Sequence, residues 1–408
     1  MMNNLEIGPI LRALTRNKVG AILIAIQIAF TMTIVVNAIS IIQERERLMA
    51  RESGLDDANT FFIDSSGFTD NFNEQVTIQE DLANIRDLPG VINAVQINAV
   101  PISGSGWSMG LQTTAKAEGD GTSVAVYMTD ENGLETLDLE LIAGENFSST
   151  DVRWRERAQS DWPDKIIITK VMADELFPDQ SWQYALGKTV FIQEDEPLLI
   201  IGIVDKLQAP WVGWAGVERS MLSPEYQLFG SARYLIRAER GFRDELMPRV
   251  EELLARSNGD RIIRNLRSIE DQRNRSYQSH SAMVKMLSLI MAVLILVTGL
   301  GIVGLASFNV NRRKKQIGVR RALGATQGAI LRYFMVENFL ISSIGVLLGA
   351  VLSVGLNIIL VDQFSLTPID WYLIPTGMLA LWLVGQIAVF GPAQRAASIS
   401  PASATRTV

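Results

Sequence analysis

No cysteine occurs among the 408 residues, and only one histidine, His280. A His/Cys zinc site and a cysteine nucleophile are excluded, and a Ser-His-Asp triad would have to be built on His280 alone. Without disulfides the fold is held by packing, which leaves the redox compartment open. A phosphate-cradling loop is also missing. Gly187-Lys188-Thr189 resembles its end, but Trp182 stands where the first glycine belongs and a strand-like run follows, so the segment reads as a turn. The acidic residues are scattered and never take calcium-loop spacing. No catalytic residue, metal ligand or bound cofactor is expected of this chain.

Charge is absent in a second way: residues 19–42, 286–308, 339–361 and 372–391 contain no Asp, Glu, Lys or Arg. At 1.5 Å per residue the second and third runs are about 34 Å of helix each, enough to cross a bilayer core of about 30 Å. Four membrane spans are the economical reading. The first run has a basic flank like a secretory signal, but it is too long for one and lacks a small-residue cleavage site, so it reads as a retained anchor.

What charge there is lies unevenly. Residues 43–285 carry 25 Lys and Arg against 40 Asp and Glu, a net of −15, while the remainder carries +8. Arg12, Arg16 and Lys18 precede the first span, Arg312, Arg313, Lys314, Lys315, Arg320, Arg321 and Arg332 lie between the second and third, and Arg395 and Arg406 follow the fourth. The short 362–371 loop holds only Asp362 and Asp370. By the positive-inside rule both termini (1–18 and 392–408) and the 309–338 loop are cytoplasmic. The large 43–285 region is then extracytoplasmic. The basic run is thus explained by topology, and no nucleic acid partner is implied. The N-terminal LEIGPILRALTRNK, with Ile10, Leu11 and Leu14 apolar, reads as an amphipathic helix on the same membrane face.

Within 43–285, periodicity predicts mixed α and β structure. Strand, helix and strand follow one another at 58–66, 77–88 and 91–100, and again at 232–238, 242–257 and 260–269. Two such units sharing one sheet would leave about 104–225 as an inserted sub-domain of short strands. The polar sequences QERERLMARE and SIEDQRNRSYQSHSAMVKM are expected to continue spans one and two as stiff helical stalks, with His280 in the second. Trp211 and Trp214, in QAPWVGWAGVER, read either as a partner contact or as a plug between sub-domains. In span three Gly345, Gly349 and Ser353 recur every fourth residue, a stripe that admits a close helix neighbour. Glu337, at the entrance of that span, is its only ionisable residue.

The segment RRKKQIGVRRALGATQGAILRYFMVENFLISSIGVLLG (312–349) is similar to the arginine-rich I-G-x-R-R-A-L-G-A-T segment of MacB/FtsX-type ABC transporter permeases. The tail PAQRAASISPA resembles that family's P-A-x-R-A-A, and DLPGV, LIAGENFSSTD, ADELF and ALGKTVFI resemble landmarks of the MacB periplasmic core. The resemblance covers essentially the whole chain. It implies a four-span α-helical membrane domain plus a large extracytoplasmic α+β domain of two sub-domains. It also implies a permease in the bacterial inner membrane whose ATP and Mg are used by separate ABC ATPase subunits. A second permease chain would complete it, identical or different, as would a periplasmic adaptor, a TolC-like outer-membrane channel and surrounding membrane lipids. The ATPase would dock on Arg320, Arg321, Leu323, Gly324, Ala325 and Thr326. After Leu323-Gly324-Ala325-Thr326 breaks one helix, a further short cytoplasmic helix is expected before span three. AGENF in place of the family's usual G-R-x-F, and a tail without the aromatic before its proline, suit one half of a heterodimer. Export of drug, peptide or lipid-like clients, lipoprotein release and hydrolase activation are all open within the family. A membrane receptor with a ligand-binding outer domain, or a membrane-bound hydrolase, are the readings outside it.

Overall fold

A computed structural model describes residues 18–193, 195–364 and 366–400. The amphipathic N-terminal segment, with Arg12 and Arg16, and the C-terminal Arg406 lie outside them. The chain divides into a β-rich unit, Ala50–Ser279, and a helical unit made of Met1–Met49 and His280–Val408.

In the β-rich unit, strands β1 (Thr60–Gly67), β2 (Val91–Gln96), β11 (Ser231–Ala238) and β12 (Arg261–Ser268) form an antiparallel sheet in the order β12-β1-β11-β2. Helix α2 (Glu74–Arg86) joins β1 to β2 and α5 (Arg243–Ser257) joins β11 to β12, so two strand-helix-strand units interlock in one sheet. Alternation assigns the faces. Phe61, Ile63, Tyr234 and Ile236 meet Ile78, Leu82 and Ile85 of α2 and Leu246, Val250 and Leu254 of α5. Their neighbours Phe62 and Leu235 point the other way, into a second core. Asn73 caps α2 by accepting a hydrogen bond from the Val76 amide at 3.2 Å.

The insertion supplies β3 (Trp107–Gln112), β4 (Thr122–Thr129), α3 (Gly133–Thr136), β5 (Leu141–Gly144), β6 (Arg153–Glu156), β7 (Lys165–Thr169), α4 (Lys170–Leu176), a 3-10 turn (Trp182–Ala185), β8 (Thr189–Ile192), β9 (Glu196–Val204) and β10 (Ser220–Leu228). Its strands run β4-β3-β8-β9-β7-β10-β6, with β5 on β9, and β10 also pairs with β4, closing a ring. The β9–β7 and β10–β4 pairings are parallel. Val126, Ile166, Ile168, Ile200 and Met172 fill one side of this sheet, and its other face, with Tyr127 and Leu222, joins Phe62 and Leu235 in the core shared with the first sheet. Gly187-Lys188-Thr189 is the turn that enters β8: Gly187 has φ +73° and Lys188 Nζ sits 4.3 Å from the Tyr184 ring centroid.

The helical unit holds α1 (Lys18–Met49), α7 (Gln278–Arg312), α8 (Lys314–Ala322), α9 (Gln327–Phe364) and α10 (Leu373–Ala397). All but α8 are long and apolar enough to cross a membrane. Each of these four runs beyond its uncharged sequence, because nothing in the polar flanks breaks a helix. In α10 even Pro392 lies within the helix. Tyr277 is the exception. Helix α6 (Ile269–Ser276) ends there, so the stalk into span two is not the single helix that its sequence predicts. The Tyr277 side chain is buried, with the Arg273 guanidinium 5.6 Å from its ring centroid.

Candidate functional site: the basic end of the helical bundle

Helix α1 is the axis of the bundle. A Cβ on Gly345 of α9 would lie 2.8 Å from Ile28 Cβ, and one on Gly349 would lie 2.7 Å from Met32 Cβ and 2.9 Å from the Ala29 carbonyl. Asn37 Nδ2 donates to the Ser353 carbonyl at 3.2 Å. The stripe Gly345, Gly349 and Ser353 therefore lies against α1, and the two helices run parallel. Helix α7 runs antiparallel to α1: Leu305 lies against Gly20, Gln27 Nε2 donates to the Val297 carbonyl at 3.1 Å, and the Thr31 and Thr298 hydroxyls are 2.7 Å apart. Helix α10 is antiparallel too, with Gly377 beside Val36 and Asn338 Nδ2 donating to the Gly385 carbonyl at 2.9 Å.

This alternation gathers the start of α1, the end of α7, all of α8, the start of α9 and the end of α10 at one end. The basic residues between 311 and 326 are here, and Glu337 is the one acidic residue among the described residues at this end. Glu337 is buried and accepts from Arg313 Nη1 at 3.0 Å on both oxygens, tying the α7–α8 corner to α9. Beneath α8, Ile317 packs with Val310, Ile330, Phe334 and the small residues Ala393, Ala396 and Ala397 of α10.

The sequence-predicted docking residues form one turn. Leu323 ends α8, and Gly324 takes φ +96°, a conformation open to glycine without strain. The Gly324 amide donates to the Arg321 carbonyl at 3.1 Å and the Ala325 amide to the Arg320 carbonyl at 3.0 Å, the paired bonds of a Schellman motif. Arg321 Nη1 donates to the Ala325 carbonyl at 2.9 Å, and Arg320 lies 5.1 Å from the Tyr333 ring centroid. Thr326 caps α9 by accepting from the Ala329 amide at 3.1 Å. From this braced turn Leu323 projects with 83% of its surface exposed.

The short separate helix expected between Thr326 and span three is absent: α9 is continuous from Gln327, because QGAILRYFMVENFLISS contains no breaker after its first turn. Sequence reasoning also missed the Arg313–Glu337 pair and the role of the PAQRAA alanines. The signals were present, one acidic residue among many basic ones and alanines at 393, 396 and 397, but neither specifies a partner. Trp211 and Trp214 are far from this end in sequence. Their rings meet edge to face at 5.9 Å, half-buried against the core shared by the two sheets, and Arg219 lies 5.4 Å from the Trp214 centroid.

The arrangement is that of a polytopic membrane protein whose second and third spans are joined by a braced basic elbow, with a β-rich domain inserted between spans one and two. Residues 20–251 match the MacB-like periplasmic core domain and residues 288–401 the FtsX-like permease C-terminal domain. The chain belongs to the MacB/FtsX-type family of ABC transporter permeases. It is 26% identical over 283 residues to the macrolide export ATP-binding/permease protein MacB of Chromobacterium violaceum, covering 65% of this chain but 40% of that one. It is 25% identical over 295 residues to the ABC transporter permease YknZ of Bacillus subtilis, covering 70% of each. Among solved structures it is similar to the periplasmic region of MacB from Actinobacillus actinomycetemcomitans, at 16% identity and a TM-score of 0.35 over 57% of this chain and 98% of that one. It is also similar to the extracellular domain of YknZ, at 17% identity and a TM-score of 0.32 over 50% and 100%.

Proposed function

We propose that this chain transmits force. ATP binding and hydrolysis on separate ABC ATPase subunits would move the basic end of the bundle, and the long helices would carry that movement to the β-rich domain. Two permease chains, identical or different, would be drawn together in each cycle. The basic end faces the cytoplasm and the β-rich domain the periplasm, a reading supported by the charge asymmetry around the spans. The chain binds no nucleotide itself. Its clients are drugs, peptides or lipid-like molecules, passed to a periplasmic adaptor and an outer-membrane channel. The macrolide-export name of the MacB relatives supports this choice over lipoprotein release.

The observation that carries the proposal is the elbow. An apolar side chain left almost wholly in the open, on a turn fixed by two backbone bonds, an arginine-to-carbonyl hydrogen bond and a cation–π contact, is built like an anchor for a partner's pocket. A lever must also be stiff where it is pushed, and Arg313–Glu337 together with the Ile317 cluster fixes α8 to both α9 and α10. Replacing Leu323 by Asp removes the anchor without disturbing any internal contact. Membrane insertion and thermal stability should be unchanged, while ATPase co-purification should fall by about thirtyfold or more, the scale of an interface hot spot. Undiminished co-purification with normal turnover would remove the elbow from the interface.

A further inference from the structure

The elbow does not use all of its positive charge. Arg313 is held by Glu337, Arg320 lies on Tyr333 and Arg321 reaches the Ala325 carbonyl. Arg312, Lys314 and Lys315 are exposed and have no ion pair or hydrogen-bonded side-chain partner among the described residues. With Glu337 already taken by Arg313, no free carboxylate among the described residues at this end is left to answer them.

Their position says what would. Phe308, one turn before Arg312 on α7, is 58% exposed, and Leu300 and Leu296 before it are as open. Exposed apolar side chains on a membrane-length helix contact acyl chains, so the change from Phe308 to Arg312 marks where hydrocarbon gives way to headgroups. Lys314 and Lys315 then open α8 at that same level, before Ile317 and Gly318 turn inward. The docking turn lies at the opposite end of α8.

We propose that Arg312, Lys314 and Lys315 form a binding site for anionic phospholipid headgroups, separate from the ATPase-docking turn. Basic residues at a membrane surface gain on the order of 1 kcal/mol each from anionic lipid, and three within four positions can surround one phosphate. The site goes beyond the force-transmission reading and does not depend on it. Bound lipid would fix the depth at which α8 sits, and hence the height of the elbow above the bilayer.

The test is native mass spectrometry of the full chain, released from detergent micelles doped with phosphatidylglycerol or phosphatidylcholine. The wild type should retain phosphatidylglycerol preferentially, and added salt should weaken that preference. The Arg312→Gln/Lys314→Gln/Lys315→Gln variant should lose about a hundredfold of the preference, while Arg320→Gln/Arg321→Gln should keep it. Leu323→Asp should bind lipid like the wild type even where it loses the ATPase, so the two proposals fail separately. Equal retention of both lipids by the wild type, an unchanged preference in the triple variant, or complete displacement by millimolar inorganic phosphate would each overturn the site. Matching circular dichroism spectra for the wild type and the triple variant exclude unfolding as the cause.

Discussion

In the β-rich domain, two buried carboxylates each gather an arginine and a hydroxyl. Asp81, almost fully buried, receives the Arg261 guanidinium, with Nη2 at 3.0 Å from Oδ1, and the Tyr234 hydroxyl at 2.6 Å. Glu225 does the same for Arg155 at 2.8 Å and Ser223 at 2.9 Å. In the helical bundle Gln27, Asn37 and Asn338 instead reach the backbone carbonyls of neighbouring helices, and glycines let backbones touch. Networks of the first kind have one satisfied arrangement and resist change. A carbonyl, in contrast, can be exchanged for another one turn along the helix, and α7, with only 17% of its apolar window buried, is the span least committed to its neighbours. The polar contacts of the first region are locked in pairs, and those of the second leave room to slide.

The largest expected effect tests the rigid half. Asp81→Ala leaves a buried guanidinium without its carboxylate and a buried phenol without its acceptor, and should destabilise the β-rich domain by about 3–5 kcal/mol. Chemical denaturation of the full chain, followed by tryptophan fluorescence, reads this directly. Adding Arg261→Leu to Asp81→Ala should recover much of the loss, because the cost lies in the unpaired charge rather than in the missing bond. No recovery would mean that the network is held by shape, and the contrast with the bundle would weaken.

A smaller effect tests the sliding half. Gly349→Val puts a branched side chain where even a Cβ stands 2.7 Å from Met32 Cβ and 2.9 Å from the Ala29 carbonyl, so α1 and α9 must part. The expected cost is about 1–3 kcal/mol, read as a lower thermal midpoint in detergent. Gly355, on the same helix with nothing within 4 Å, should tolerate alanine without loss. If both substitutions behave alike, close backbone approach is not what joins these helices.

Much of this was legible in the residues themselves. Phe61 and Ile63 against Phe62, and Ile78, Leu82 and Ile85 at spacings of four and three, write a strand and a helix into the chain. Repeating that order at 232–269 was enough to place both units in one sheet. The spans and the small-residue stripe could be read because a bilayer permits so few solutions. The ring of the inserted sheet could not, since the β10–β4 and β9–β7 pairings join strands about 95 and 35 residues apart and parallel pairing leaves no turn to announce it. Tyr277 and Glu337 were hidden as well. Glu337 is decided by a partner across space, Arg313, which no local pattern marks, and the helix end at Tyr277 falls in a polar run with no Pro or Gly to signal it.

The smallest effect separates buried networks from surface pairs within the rigid half itself. Lys165 Nζ donates to Asp151 at 2.7 Å, and with the Ser148 hydroxyl and amide it holds the Asp151 carboxyl down at about 2, below its usual 3.8. A carboxylate whose folded value is depressed contributes stability that is present above the unfolded value and is lost as pH falls through the folded one. The Asp151 contribution should therefore be complete above about pH 4 and gone below about pH 2. The pair lies near the surface, so its worth is below about 1 kcal/mol, equivalent to about 2–4 °C at most in a domain of this size. Thermal midpoints of wild type and Asp151→Asn should differ by that amount at neutral pH and converge between pH 4 and pH 2. A neutral-pH gap for Asp151→Asn as large as that for Asp81→Ala would mean that the two carboxylates differ in degree and not in kind, and the rigidity of the β-rich domain would have to come from its apolar cores alone.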